Sequence, residues 1–167
     1  MKRIVLSILV DNTAGVLSRV AGLFSRRGYN IDSLTVGETE NPAISRMTVL
    51  AHGDDQILEQ IRKQLNKLED VKELVELYPE ESVTRELILV KVVSSEKDRQ
   101  SIISIADIFR AKIVDVAVDS LMIELTGNQS KIDAFINLLE QYTIKELVRT
   151  GITGLTRGSG DIADYID

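Results

Sequence analysis

The chain has no cysteine, no tryptophan and a single histidine among 167 residues. Without thiols there is no disulfide, thiolate metal site or cysteine nucleophile, and His52 alone cannot make a histidine-rich metal cluster. Aromatic residues are 4% of the chain, too few for base-stacking platforms, and a net charge of −6 disfavours phosphate backbones, which need clustered Lys and Arg. Nothing is long and apolar enough to span a bilayer, and the Met-Lys-Arg start leads into a short strand-like segment rather than a signal-type apolar region. The expectation is a cytoplasmic protein with neither nucleic acid nor membrane as partner. There is also no G-x-S-x-G elbow, P-loop or G-x-G-x-x-G, so catalysis has little to stand on.

What is present is 44% hydrophobic residues, enough to bury a core as one domain or two small ones. Arg3 to Val10 reads as a strand, apolar at Ile4, Leu6, Ile8 and Val10 but also at Val5 and Leu9, so both faces need cover. Leu17, Val20, Ala21 and Phe24 fall at helical spacing, and Gly28 ends that helix. Asn30 to Glu38 and Ile44 to Ala51 form a hairpin turned by Asn41-Pro42. A helix carries Leu58, Ile61, Leu65 and Leu68, and Val71 to Leu77 adds a strand. The order is βαββαβ.

Tyr78-Pro79-Glu80-Glu81-Ser82 lacks apolar periodicity and reads as a linker. Beyond it the order repeats: a strand at Leu87 to Val93, a helix marked by Ile102, Ile105, Ala106 and Phe109, a hairpin of Ile113 to Val118 with Leu121 to Thr126, a helix marked by Ile132, Phe135, Ile136 and Leu139, and a strand at Ile144 to Val148. The expected fold is α+β, two tandem ferredoxin-like βαββαβ sandwiches. The expected boundaries are 1–78, a linker at 79–82, 83–158, and a flexible acidic tail at 159–167. His52, beside Gly53 at a strand end, reads as a surface or helix-entry residue.

One junction stands out. In Val10-Asp11-Asn12-Thr13-Ala14-Gly15-Val16-Leu17-Ser18 a strand stops at turn formers and a helix begins. The first N–H groups of a helix lack intrahelical partners and the dipole is positive there, so such a turn suits a small anion such as a carboxylate. Gly15 allows close approach of a ligand and a positive φ. The bland alternative is an ordinary turn capped by Asn12 or Thr13.

The residues Asp11-Asn12-x-x-Gly15-x-Leu17-Ser18-Arg19, continuing through Gly22-Leu23-Phe24-Ser25-Arg26-Arg27-Gly28-Tyr29-Asn30-Ile31, resemble the regulatory (small) subunits of acetolactate synthase. So do Ser45-Arg46-Met47-Thr48, the helix around Leu58 to Leu68, Leu89-Val90-Lys91, Ile108-Phe109-Arg110 and Arg149-x-Gly151-x-x-Gly154-Leu155-x-Arg157-Gly158. Only the final tail lies outside the resemblance. It implies that residues 1–78 are an ACT domain, an amino-acid-sensing module. It further implies a non-catalytic chain that binds the large subunit, raises its activity and confers feedback inhibition by a branched-chain amino acid, usually valine. This chain would bind no cofactor itself; thiamine diphosphate, Mg and FAD would belong to the catalytic subunit.

By the same resemblance the effector-binding positions are Asn12, Ala14, Gly15, Val16, Asn30 and Ile31, with Ser18 tied to feedback sensitivity and the site lying where two ACT domains pair in a homodimer. Ala14 stands where relatives often carry Ser or Pro, and Asp11 where some carry Glu. Asparagine amides, offering both donors and an acceptor, suit the charged groups of an amino acid. Two alternatives stay open. An ACT-type sensor regulating another enzyme or transcription would share the turn. A small ferredoxin-like acylphosphatase would need an arginine in the first turn, whereas Arg19 lies a full turn into the helix.

Overall fold

The computed structural model describes residues 2–160, and the rest of the expected tail, 161–167, lies outside the described residues. By compactness the chain divides into one unit made of Met1–Thr84 and Ile152–Asp167, and another made of Arg85–Gly151. Both are ferredoxin-like.

The first unit is built from β1 (Lys2–Asp11), α1 (Val16–Arg26), β2 (Ile31–Glu38), β3 (Ile44–Gly53), α2 (Asp55–Asn66) and β4 (Val71–Glu76). The strands form an antiparallel sheet in the order β2-β3-β1-β4. Alternation along β1 sends Ile4, Leu6, Ile8 and Val10 into a core with Met47, Val49 and Ala51 of β3, Leu58, Ile61 and Leu65 of α2, and the buried stripe of α1. That stripe is Val16, Val20, Leu23 and Phe24, while Leu17, expected inside, is 47% exposed. The helix begins at Val16, directly after Gly15 and one residue before the first apolar position of the expected stripe. Its buried face therefore takes in Val16 and Leu23 rather than Leu17. Asp54 caps α2 by accepting the Ile57 N–H at 2.8 Å.

The second unit is built from β5 (Ser82–Val93), whose first residues up to Thr84 belong to the first unit, with α3 (Glu96–Ile108), β6 (Lys112–Val116), β7 (Ser120–Gly127), α4 (Gln129–Leu139) and β8 (Ile144–Arg149), in sheet order β6-β7-β5-β8. Ser95 and Asn128 cap its helices, and Ile88, Val90, Val92, Ile102, Ile123 and Phe135 stand at the centre of its core. Phe109 meets the Phe135 ring edge to face, centroids 5.2 Å apart. Glu86, 4% exposed, accepts two hydrogen bonds from the Arg149 guanidinium, Nε to Oε1 at 2.7 Å and Nη2 to Oε2 at 2.9 Å.

The division differs from the expected boundaries. The expected linker is a tight turn, with the Glu81 N–H donating to the Tyr78 carbonyl at 3.0 Å, and it runs straight into β5. Residues 152–158, expected in the second domain, group with the first. A short strand absent from the sequence reading, β9 (Thr153–Thr156), pairs with β5. Ile152, buried, packs with Val5, Leu50 and Leu77, and its N–H donates to Ser33 Oγ at 3.2 Å. The apolar second face of β1 at Val5 is therefore covered from within the chain and gives no reason to expect a second copy there.

Candidate functional site

Gly15 adopts φ 88°, ψ −9° and is the N-cap of α1, which no side chain caps. The bland alternative of a cap by Asn12 or Thr13 is not what forms. Asn12 is turned toward the β2–β3 hairpin instead: its backbone N–H donates to the Ala43 carbonyl at 2.8 Å, and its Nδ2 donates to the Pro42 carbonyl at 2.8 Å and to Glu38 Oε2 at 3.4 Å. The start of α1 thus presents backbone N–H groups uncapped by side chains, at the positive end of the helix dipole.

Arg19 sits one turn on, its N–H bonded to the Gly15 carbonyl at 3.0 Å. Its guanidinium is folded back over the turn, so that a Cβ on Gly15 would lie 2.9 Å from Nη1. Asp70 holds it in a fork, with Nε to Oδ2 at 2.5 Å and Nη2 to Oδ1 at 3.2 Å. Hydrogen bonding from Arg19 keeps the Asp70 carboxyl below the usual carboxylate range, and the same bond raises Arg19 further. Arg19 and Asp70 together are neutral, so the positive character of the turn comes from the uncapped N–H groups and the helix dipole.

The other expected residues divide between two ends of β2. Asn12, Ala14, Gly15 and Ser18 are exposed around the turn, and Val16, 3% exposed, is a core side chain with only its backbone turned to the site. Asn30 and Ile31 stand at the opposite end. The length of β2, eight residues, separates them from Glu38, the neighbour of Asn12, a span of roughly 25 Å at the rise of a strand. One copy of the chain does not bring Asn12 and Asn30 together. Open hollows of about 390 and 510 Å³ are lined by other residues, among them Ser7, Arg46 and Leu155 in the first and Leu89, Met122 and Leu147 in the second.

Both asparagines are oriented by their partners. Asn30 Nδ2 donates to Asp32 Oδ1 at 2.9 Å. An ionised carboxylate and a backbone carbonyl only accept, so the amide nitrogen of each asparagine must face its partner and the carbonyl oxygen is left outward. Asp32 also hydrogen-bonds His52 Nδ1 through its second oxygen. His52 is exposed, as expected, but it is the penultimate position of β3, tied across to β2, and not a helix-entry residue. Arg19 and Asp32 were not among the expected site residues. The signals for them were spacing alone: Arg19 is four residues beyond Gly15 on a helix, and Asp32 two beyond Asn30 on a strand.

Among the described residues there is no group of three metal-ligating side chains, and no helix is long and apolar enough to cross a membrane. A family model described as "AHAS small subunit-like ACT domain" matches residues 6–73, and one described as "Small subunit of acetolactate synthase" matches residues 85–158. A probable acetolactate synthase small subunit from Methanothermobacter thermautotrophicus is 56% identical over 156 residues, 93% of each chain. The acetolactate synthase small subunit of Haemophilus influenzae is 50% identical over 163 residues, 97% of this chain and 99% of its own. The crystal structure of the acetolactate synthase small subunit from Thermotoga maritima superposes with a TM-score of 0.87 at 44% identity, covering 96% of this chain and 100% of that one.

Proposed function

The chain belongs to the acetolactate synthase small-subunit family, and we propose that it binds the large catalytic subunit in the cytoplasm, raises its activity and makes it answer to a branched-chain amino acid, valine first. The chain itself takes no part in the chemistry; thiamine diphosphate, Mg and FAD belong to the large subunit. The effector carboxylate sits on the uncapped N–H groups at Gly15 and Val16. The effector ammonium meets the outward carbonyls of Asn12 and Asn30, and its small apolar side chain lies against Ala14 and Ile31. Ser18, exposed in the first turn of α1, borders this site.

The observation that carries this reading is the separation of Asn12 from Asn30 along β2. Among the described residues that strand is the sheet edge, paired with β3 alone, and an unpaired edge is a template for another strand. Antiparallel pairing of β2 with its copy about a twofold axis sets residue 31 against residue 38, so Asn30 of one copy falls beside the Asn12 turn of the other. The paired sheets then hold two equivalent sites, each built from both chains. Sensing is thereby linked to assembly.

The test is reconstitution. Acetolactate formation by the large subunit is measured with and without the chain and against rising valine. Stimulation that valine reverses is expected. Failure of the two subunits to co-purify, or an unchanged rate on mixing, refutes the role; a chain that stays monomeric with valine bound refutes the shared site.

A further inference from the structure

We propose that Asp32 and His52 are positioning residues for effector recognition: together they lock the Asn30 amide so that its carbonyl, and not its NH2 group, faces the effector ammonium. This rests on the reading of Asn30 as an effector contact. The geometry behind it is local and complete. Asp32 is the extra residue of a β-bulge, for Ile31 pairs with Ala51 and Ser33 with Leu50 while Asp32 has no partner of its own in the ladder. A bulge re-aims the side chain it carries. Here one carboxylate oxygen accepts from Asn30 Nδ2 at 2.9 Å, and the other is bonded to His52 Nδ1.

A carboxylate held at one oxygen only could rotate and release the amide; held at both, it cannot. Without Asp32, Asn30 is free to turn its NH2 group outward, where two donors would face an ammonium that has no acceptor to offer. The carboxylate also leaves a negative charge just behind the Asn30 carbonyl, which favours a cation in front of it. The side chains of His52 and Asp32 are 39% and 30% exposed, so the pair is accessible and is not a core element. Its role is orientation.

The experiment is titration of the full chain with valine, with oligomer mass checked by light scattering. Asp32→Ala is expected to weaken binding about tenfold in the native background, as loss of one charge-assisted hydrogen bond does, and less than about twofold in the Asn30→Ala background. His52→Leu is expected to weaken binding several-fold, while His52→Gln, which can still donate to Asp32, keeps it within about twofold. Equal losses from Asp32→Ala in the two backgrounds would overturn the positioning role, and so would a His52→Gln variant as weak as His52→Leu. If Asn30→Ala alone leaves valine binding intact, the effector contact itself is wrong, and the positioning role falls with it.

Discussion

Gly15→Asp puts a carboxylate where the effector carboxylate is expected to bind. Two like charges about 4 Å apart repel by roughly 4 kcal/mol at an effective dielectric near 20. The structure tempers this figure, because the new Cβ would lie 2.9 Å from Arg19 Nη1 and that cation would draw the added carboxylate toward itself. Taking half the repulsion leaves about 2 kcal/mol, a weakening of roughly 30-fold in affinity. The backbone cost is separate. Gly15 sits at φ 88°, where an L-residue is strained by about 1–2 kcal/mol, a loss that a domain of ordinary stability survives. The assay is acetolactate formation by the reconstituted enzyme against rising valine, with Gly15→Ala alongside to separate strain from charge. Gly15→Asp should still stimulate the large subunit but need at least about tenfold more valine for half inhibition, whereas Gly15→Ala should shift the curve much less. An unchanged curve for Gly15→Asp would show that the effector does not use this turn; loss of stimulation as well would show that the turn is structural.

Other expectations concern the scaffold. Glu86→Ala leaves a buried void and Asp133 Oδ1, at 3.4 Å, as the remaining carboxylate partner of the Arg149 guanidinium; it should cost about 2–3 kcal/mol in denaturant unfolding of the full chain, the low end for a buried pair because the Arg149 side chain is 35% exposed and keeps that partner. Gly154→Ala would set a Cβ 2.6 Å from the Val83 carbonyl oxygen, so β9 must shift; a loss of about 1–3 kcal/mol and faster proteolysis near residue 154 are expected. Asp70, whose carboxyl is held below the usual range by Arg19, adds stability that is fully present above the unfolded carboxylate value of about 3.9 and is lost as pH falls through its depressed folded value. The stability gap between the native chain and Asp70→Asn should therefore narrow on acidification below about pH 4; a gap independent of pH there would contradict the Arg19–Asp70 link.

The two βαββαβ orders were legible because period-two and helical spacings are strong over Ile4 to Val10, Leu58 to Leu65 and Ile132 to Leu139. Two features were not. In α1 the expected Val20 and Phe24 are buried, but Val16 and Leu23 take the places expected for Leu17 and Ala21, since both sets fit an apolar face at helical spacing. The segment at Ile152 carries one buried apolar residue in a stretch of Gly and Thr, too little for any periodic signal, yet it closes over Val5, Leu50 and Leu77. The sequence shows that Val5 needs cover but not that Ile152 supplies it, because an apolar face does not say which segment returns to it.

The site shows the same limit more sharply. Asn12 and Asn30 were assigned to one effector, 18 positions apart in the chain, with a pairing of two copies implied, but nothing in the spacing says that they flank opposite ends of a strand. That follows only once β2 is placed at the sheet edge and Asn12 is bonded to Glu38 at its far end. Asp32 could have been suspected, since residues two apart on a strand share a face. His52 could not, because its bond to Asp32 depends on the register between β2 and β3 and on a bulge that shifts it. On the proposed reading, the anion half of the site rests on local chemistry at the turn, whereas the half proposed to recognise the ammonium depends on long-range pairing, within one sheet for Asp32 and His52 and between two copies for Asn30. Substitutions at the turn should accordingly act in the same way whatever the assembly, while those at Asn30 should matter only where the chain is paired.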